Sequence, residues 1–331
     1  MAYDGKVLRQ ATLRFDEDKQ RRQEQQRQRQ QQVYQQCPEL ESIQREIRGT
    51  MGEIIASALR RGTDPLPAIR VIRDKNLSLQ KRRAELLDQL GYPEDYLSEK
   101  PRCTLCGDTG YRGDGLCSCL KKYYAQEQIR ELSRMLDIGS QSFDTFELDW
   151  YSPDRGSLPR SPRENAQRNL NLCRDFAARF RPGRENLLLF GAPGLGKTFL
   201  SACIARVVSE DGFSVVYDTA GHVFSQFESA KFRRDDDGDT AGEDVERCMN
   251  CDLLILDDLG TEMTTSFVQS ALYQLLNGRL LAGKSTVIST NLDPEELGRR
   301  YGAPLLSRLE GEYQLLPFVG TDIRRLKREQ G

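Results

Sequence analysis

The chain has almost no net charge: 48 lysines and arginines are set against 50 aspartates and glutamates, leaving −2 at neutral pH. That balance excludes a global basic field of the kind that drives bulk nucleic-acid binding, so any such contact has to come from a local patch. Long apolar runs are also missing. The longest, such as Leu187–Phe190 and Leu253–Leu256, are strand-length and far too short to span a bilayer as a helix. The amino terminus, MAYDGKVLRQ, leads into a polar stretch without an apolar core, so no signal peptide is expected. An even cysteine count is lacking too. Nine cysteines without an export signal argue against a disulfide framework, and the expected address is cytoplasmic, with no membrane partner. What is present is ordinary for a globular protein, with 30% charged and 38% hydrophobic residues. The 331 residues suffice for one full α/β domain and a smaller module.

Four segments follow from the pattern. Residues 1–36 are a polar, flexible or helical arm whose low-complexity stretch, RRQEQQRQRQQQ, can form a solvated helix but is not expected to bury a core. Residues 37–136 read as a helical domain. Ile43, Ile47, Met51, Ile54 and Ala58 recur at helical spacing, and Ile69, Ile72, Leu79, Leu86 and Leu90 follow in heptad-like register with Asn76 and Arg83 in the seam. RGTDPLP (61–67) separates the two runs, which implies a pair of antiparallel helices; a short helix is expected near 120–136. Residues 137–162 end in a Pro/Ser/Gly-rich linker. From 163 to 331, strands alternate with helices: 186–190, 214–218, 253–257, 285–289 and 313–316 are the candidate strands. Such alternation implies an α/β domain with a parallel sheet and helices on both faces.

The chemistry is concentrated in that last segment. Gly191-Ala192-Pro193-Gly194-Leu195-Gly196-Lys197-Thr198 is a full phosphate-loop match, preceded by an apolar strand and opening a helix at Phe199. Its backbone N–H groups and the helix dipole suit phosphate oxygens, Lys197 suits the β- and γ-phosphates, and Thr198 suits Mg²⁺. ATP and Mg²⁺ are the expected cofactors. A second apolar strand ends in Asp257-Asp258. Asp257 is the candidate Mg²⁺ partner; Asp258 is the candidate general base or water-orienting group, with a strand-end or capping acid as the alternative. Glu262 is a possible helper. Asn291, after Ser289 and Thr290, stands where an amide can hold the attacking water, and otherwise reads as a turn residue. Arg308 could reach a neighbouring subunit's γ-phosphate, or could form a surface ion pair.

GAPGLGKTFL, NCDLLILDDLGTE, VISTNL, LLSRLEG and the terminal GTDIRRLK together resemble the AAA+ ATPases, and within them the DnaC/DnaI/IstB group. The resemblance covers roughly residues 100–331 and includes SFDTFELDWY (142–151), which is similar to that group's lead-in to its ATPase core. It implies a reduced lid, since only about fifteen residues follow the last strand, and it places a sensor arginine on Arg324. It further implies ATP hydrolysis coupled to loading the replicative (DnaB-type) DNA helicase onto single-stranded DNA, with self-association through the ATP site. An IstB-like transposition helper and a nucleotide-binding adaptor with little hydrolysis remain alternatives.

Cys103-Thr-Leu-Cys106 and Cys117-Ser-Cys119 are separated by a glycine-rich turn. Four clustered thiolates in a reducing compartment suit a structural Zn²⁺, with reduced thiols on a loop and an iron–sulfur cluster as alternatives. The pattern also matches the amino-terminal domains of helicase loaders. By elimination and resemblance, this region is the arm that docks on the helicase. Cys248 and Cys251 abut an apolar strand without a second pair and read as ordinary packing. Lys231, Phe232, Arg233 and Arg234 form the candidate DNA-contacting patch; Phe224 and Phe227 just before them could stack bases but fit a core-facing pair better.

Overall fold

The structure is a computed structural model that describes residues 3–59, 66–113, 115–133, 141–232 and 240–330. The chain divides into two compact units, Arg14–Gly115 and Met1–Leu13 together with Leu116–Gly331.

In the smaller unit, α1 (Gly5–Gln36) contributes its residues from Arg14 onward, followed by α2 (Pro38–Leu59) and α3 (Leu66–Gln89). Contacts between α2 and α3 run antiparallel: Glu39 pairs with Arg82 at 2.9 Å, Glu46 with Lys75 at 3.6 Å, and Asn76 donates to Thr50 Oγ1 at 2.7 Å. Asn76 therefore does sit in the seam. The polar arm does not remain wholly solvated, however. Val33 is 1% exposed and packs with Leu40, Ile43, Leu86, Leu87 and Leu97, and Phe15 is also buried. Two apolar residues on one face are enough to dock a stretch that is otherwise almost entirely polar and charged. The RGTDPLP turn lies largely outside the described residues.

A short hairpin, β1 (Tyr111–Arg112) and β2 (Gly115–Leu116), marks the division between the units, and α4 (Ser118–Leu132) follows it in the larger one. The α/β domain then runs α5 (Pro162–Ala178), β3 (Leu187–Gly191), α6 (Lys197–Glu210), β4 (Val215–Thr219), α7 (Ala220–Phe232), α8 (Thr240–Asn250), β5 (Leu253–Leu259), α9 (Ser266–Leu281), β6 (Ser285–Thr290), α10 (Pro294–Tyr301), α11 (Ala303–Glu312), β7 (Gln314–Phe318) and α12 (Ile323–Gln330). All five strands pair parallel, in the order β4-β5-β6-β3-β7. Each expected strand is present within two residues of its expected ends.

The alternation of side chains across the sheet builds two cores. Val215, Tyr217, Leu253, Ile255, Val287, Leu187 and Leu189 face α5 and α6; Val216, Leu254, Leu256, Ile288 and Leu188 face α7, α9 and α11. Phe224 is 3% exposed within the second core and Phe227 packs against it, so that pair is structural. Cys248 and Cys251 are buried in the same core.

Two side chains fasten the sheet. Gln128 of α4, 1% exposed, donates to Ser209 Oγ and to the Phe213 carbonyl (both 2.8 Å) and accepts from the Val215 N–H at 2.9 Å. It thus occupies a backbone donor at the outer edge of β4. Arg279, fully buried, donates to the carbonyls of Cys248 (2.6 Å), Cys251 (3.1 Å) and Ser285 (2.5 Å) and to Thr286 Oγ1 (3.0 Å), tying α8, α9 and β6 together. Its charge is solvated by carbonyl dipoles, the alternative to a paired carboxylate.

Candidate nucleotide-binding site

At the carboxyl ends of β3, β5 and β6 lies a cleft of about 390 Å³. Its floor is the phosphate loop, a tight turn with φ of +75° at Gly194 and +90° at Gly196, both requiring the freedom of glycine. The flanking chain comes close here as well. A β-carbon at Gly194 would collide with the Asp322 carboxylate, and one at Gly196 would lie 2.8 Å from the Tyr151 hydroxyl. Ile323 N–H donates to the Gly194 carbonyl at 3.0 Å, which seats α12 on the loop.

Lys197, at the first turn of α6, is 5% exposed. Its Nζ donates to the carbonyls of Gly191 (2.6 Å) and Ala192 (2.8 Å) and to Asn291 Oδ1 (2.9 Å). Burial pushes the Lys197 ammonium below its ordinary pKa, with the Asp258 and Asp257 charges opposing the shift. An ammonium whose hydrogen bonds all go to neutral oxygens and which is destabilised by desolvation gains most from an incoming polyanion. Gly191 and Ala192 thus supply the carbonyls beneath the lysine, while Pro193, Leu195, Thr198 and Phe199 line the cleft with it.

The two acids reach the site by different routes. Asp257 is 3% exposed and lies on the α6 side of the sheet, where its Oδ2 accepts from Thr198 Oγ1 at 3.2 Å and from the Tyr217 hydroxyl at 2.5 Å. Ser289 Oγ donates to the other oxygen. In a regular strand Asp258 would point to the opposite face. The register with β6 slips between Leu256 and Leu259, so that two residues of β5 stand against Ser289 alone, and Asp258 has φ of +53°. This bulge turns Asp258 into the cleft beside Lys197 and Asn291. Its N–H donates to Ser289 Oγ at 3.1 Å. Burial, followed by the neighbouring Asp257 charge, raises the Asp258 pKa, and Lys197 and Arg324 pull it back. An aspartate held there at left-handed φ stores local strain, a pattern that clusters at functional sites.

Arg324, on α12, lines the same cleft and is exposed to solvent. Arg308 does not line it: the residue is half-buried on α11. Glu262 is engaged away from the cleft, accepting from Gly260 N–H at 3.0 Å and from the Tyr301 hydroxyl. Lys231 is exposed, its Nζ 5.1 Å from the Phe267 ring centre; the side chain of Phe232, and Arg233 and Arg234, fall outside the described residues.

The other end of the cleft, for which the sequence pattern pointed to no role, is built by residues 141–151. Gln141, Thr145, Phe146, Glu147, Trp150 and Tyr151 line it, with Lys327 opposite. Phe146 stacks on Tyr151 (5.6 Å between ring centres) and meets Phe199 edge-on (5.5 Å), while the Tyr151 hydroxyl donates to the Leu195 carbonyl at 2.9 Å. Lys327 lies 5.1 Å from the Trp150 ring centre. The cleft is therefore cationic at the loop and aromatic at the far end, the arrangement a purine nucleotide needs. The signal was the aromatic cluster itself, Phe143, Phe146, Trp150 and Tyr151 within nine residues.

A family model described as IstB-like ATP binding protein matches residues 165–324. Over those residues, just under half of the chain, the domain is similar to the IstB/DnaC-like AAA+ family. The chain is 28% identical over 140 residues to the uncharacterized protein YdaV of Escherichia coli K12, covering 42% of this chain and 55% of that protein. It is 24% identical over 146 residues to the replicative helicase loader DnaC of the same strain, covering 44% and 58%. It is 25% identical over 163 residues to an ATP-binding protein in an insertion sequence of Mycobacterium tuberculosis, covering 47% and 63%. The chain thus spans little more than half the length of these relatives. A crystal structure of the DnaC helicase loader superposes with a TM-score of 0.43 at 22% identity, covering 54% of this chain and 98% of that one.

The oxygen and sulfur donors fit the two metals expected from the sequence. Thr198 Oγ1 and Asp257 Oδ2, 3.2 Å apart, are hard oxygen donors at the loop's edge, as Mg²⁺ requires. The Sγ atoms of Cys103, Cys106, Cys117 and Cys119 all lie within 4.8 Å of one another. Tetrahedral Zn–S bonds of about 2.3 Å place sulfurs roughly 3.8 Å apart, so the cluster needs only a small contraction. No helix among the described residues is long and apolar enough to cross a membrane.

Proposed function

We propose that the protein hydrolyses ATP in this cleft and uses the cycle to load a replicative helicase onto single-stranded DNA. The observation that carries the ATPase reading is the convergence of Lys197, Asn291, Asp258 and Arg324 on one cleft, with Asp257 and Thr198 adjoining it. In this reading the purine lies against Phe146 and Trp150. The triphosphate displaces the Gly191 and Ala192 carbonyls from Lys197, with Arg324 on its outer oxygens. Mg²⁺ held near Thr198 and Asp257 supplies charge neutralisation. Asp258 takes a proton from, or orients, the attacking water, and Asn291 holds that water in line.

Arg308 is half-buried on α11, away from the cleft, and no hydrogen bond or ion pair of its side chain occurs among the described residues. That suits a group acting on a second subunit's nucleotide, so ATP favours self-association. The four-cysteine knuckle and the helical unit add nothing to the cleft and are read as the arm that docks on the helicase, with zinc as its structural core. That arm favours helicase loading over a transposition helper. The test is co-purification of the full-length protein with the host's replicative helicase. ATP-dependent capture that is lost in Lys197→Ala supports the reading. Capture of a transposase with no helicase, or of neither, refutes it.

A further inference from the structure

We propose that Tyr217 is a positioning residue: its hydroxyl presets the Asp257 carboxylate for the divalent cation that accompanies ATP. The inference rests on the ATP reading above and names how one of its residues is held.

The register of the sheet brings the pair together. Tyr217 on β4 stands opposite Ile255, and Asp257 lies two residues further along β5 on the same face. A long side chain spans that diagonal easily, and the tyrosine hydroxyl donates to Asp257 Oδ2 at 2.5 Å. A carboxylate oxygen can only accept, so the phenol O–H is the donor in this bond. From the other flanking strand, Ser289 Oγ donates to Oδ1. The carboxylate is therefore held from both neighbouring strands, with its rotation about Cβ–Cγ stopped. In that orientation Oδ2 faces Thr198 Oγ1 at 3.2 Å, the second oxygen donor expected at the cation.

Two effects of the phenol oppose each other. Its hydrogen bond draws negative charge from Oδ2, which weakens the carboxylate's pull on a cation; it also fixes the direction in which the carboxylate points. Loss of such outer hydrogen-bond partners typically weakens metal binding about 10- to 100-fold, so orientation outweighs charge withdrawal.

Full-length protein would be titrated with Mg²⁺ at a fixed concentration of a fluorescent ATP analogue, reading equilibrium binding. For Tyr217→Phe, which keeps the ring and removes only the donor, binding in EDTA should match wild type. The Mg²⁺ concentration giving half of the Mg²⁺-dependent tightening should rise about tenfold. Ser289→Ala, which frees Oδ1, should move the midpoint in the same direction and provides a second reading should the tyrosine variant fold poorly. Midpoints within twofold of wild type for the folded variants overturn the positioning role and leave the ATP site standing. Wild-type protein that binds the analogue with no Mg²⁺ dependence overturns both.

Discussion

Replacing Asp258 by asparagine isolates one carboxylate with little structural disturbance. Asparagine has the same size and is at home at positive φ, so the bulge at φ +53° and the Asp258 N–H to Ser289 bond should persist. Ionised Asp258 is disfavoured in the folded protein, because burial and the Asp257 charge raise its pKa. Its stabilising contribution is therefore present below the ordinary aspartate pKa and lost as pH rises through the raised value. At neutral pH the asparagine variant should be as stable as wild type or slightly more so. ATP should bind at least as tightly, since one negative charge beside Lys197 is gone. A positioned general base contributes 10²- to 10⁴-fold, about 3–5 kcal/mol of barrier, and turnover should fall by that factor. The same shift gives wild-type turnover an acid limb lying above the ordinary aspartate pKa, while binding holds as pH falls through it. Steady-state phosphate release and equilibrium binding, measured side by side across pH, decide the matter. Turnover by the Asp258→Asn variant within threefold of wild type, or weakened ATP binding, would refute the assignment.

Three further outcomes are expected. Lys197→Ala removes the cation that spans two loop carbonyls and Asn291, so ATP affinity should fall at least 100-fold by calorimetry while the thermal midpoint moves by a few degrees at most. Arg279→Ala leaves the buried carbonyls of Cys248, Cys251 and Ser285 without their donor. A loss of about 3 kcal/mol is expected, seen as a drop of roughly 6–12 °C in the melting midpoint. Elemental analysis should find about one zinc per chain, and Cys106→Ser should lower that content together with the stability of residues 100–119 against proteolysis.

The fold was legible where the physics is local. Apolar runs of strand length alternating with helical stretches set out all five strands, and the glycine spacing at 191–196 marked the loop before any contact was known. What escaped depends on pairing between distant segments. Asp257 and Asp258 were both legible as site residues, but how two neighbours in one strand turn to the same site follows only from the slipped register opposite Ser289. Tyr217 looks like one more β-strand aromatic until β4 is aligned with β5. Arg279, in a helix reading LLNGRLL, has the pattern of a solvent-facing charge and is instead fully enclosed. The arm at 14–36 misled in the opposite sense. Its average polarity hid Phe15 and Val33, and burial is decided by which face a residue occupies, not by mean composition.

The single amide of Gln128 at the outer strand has a practical consequence for anyone trimming the protein. A fragment begun at the Pro/Ser/Gly-rich linker would retain the phosphate loop and every acid around it, yet would lose α4 and bare the Val215 backbone donor. An uncovered sheet margin invites strand addition from another molecule. Such a fragment should precipitate or form ill-defined multimers, whereas one begun ahead of Ser118 should stay monodisperse.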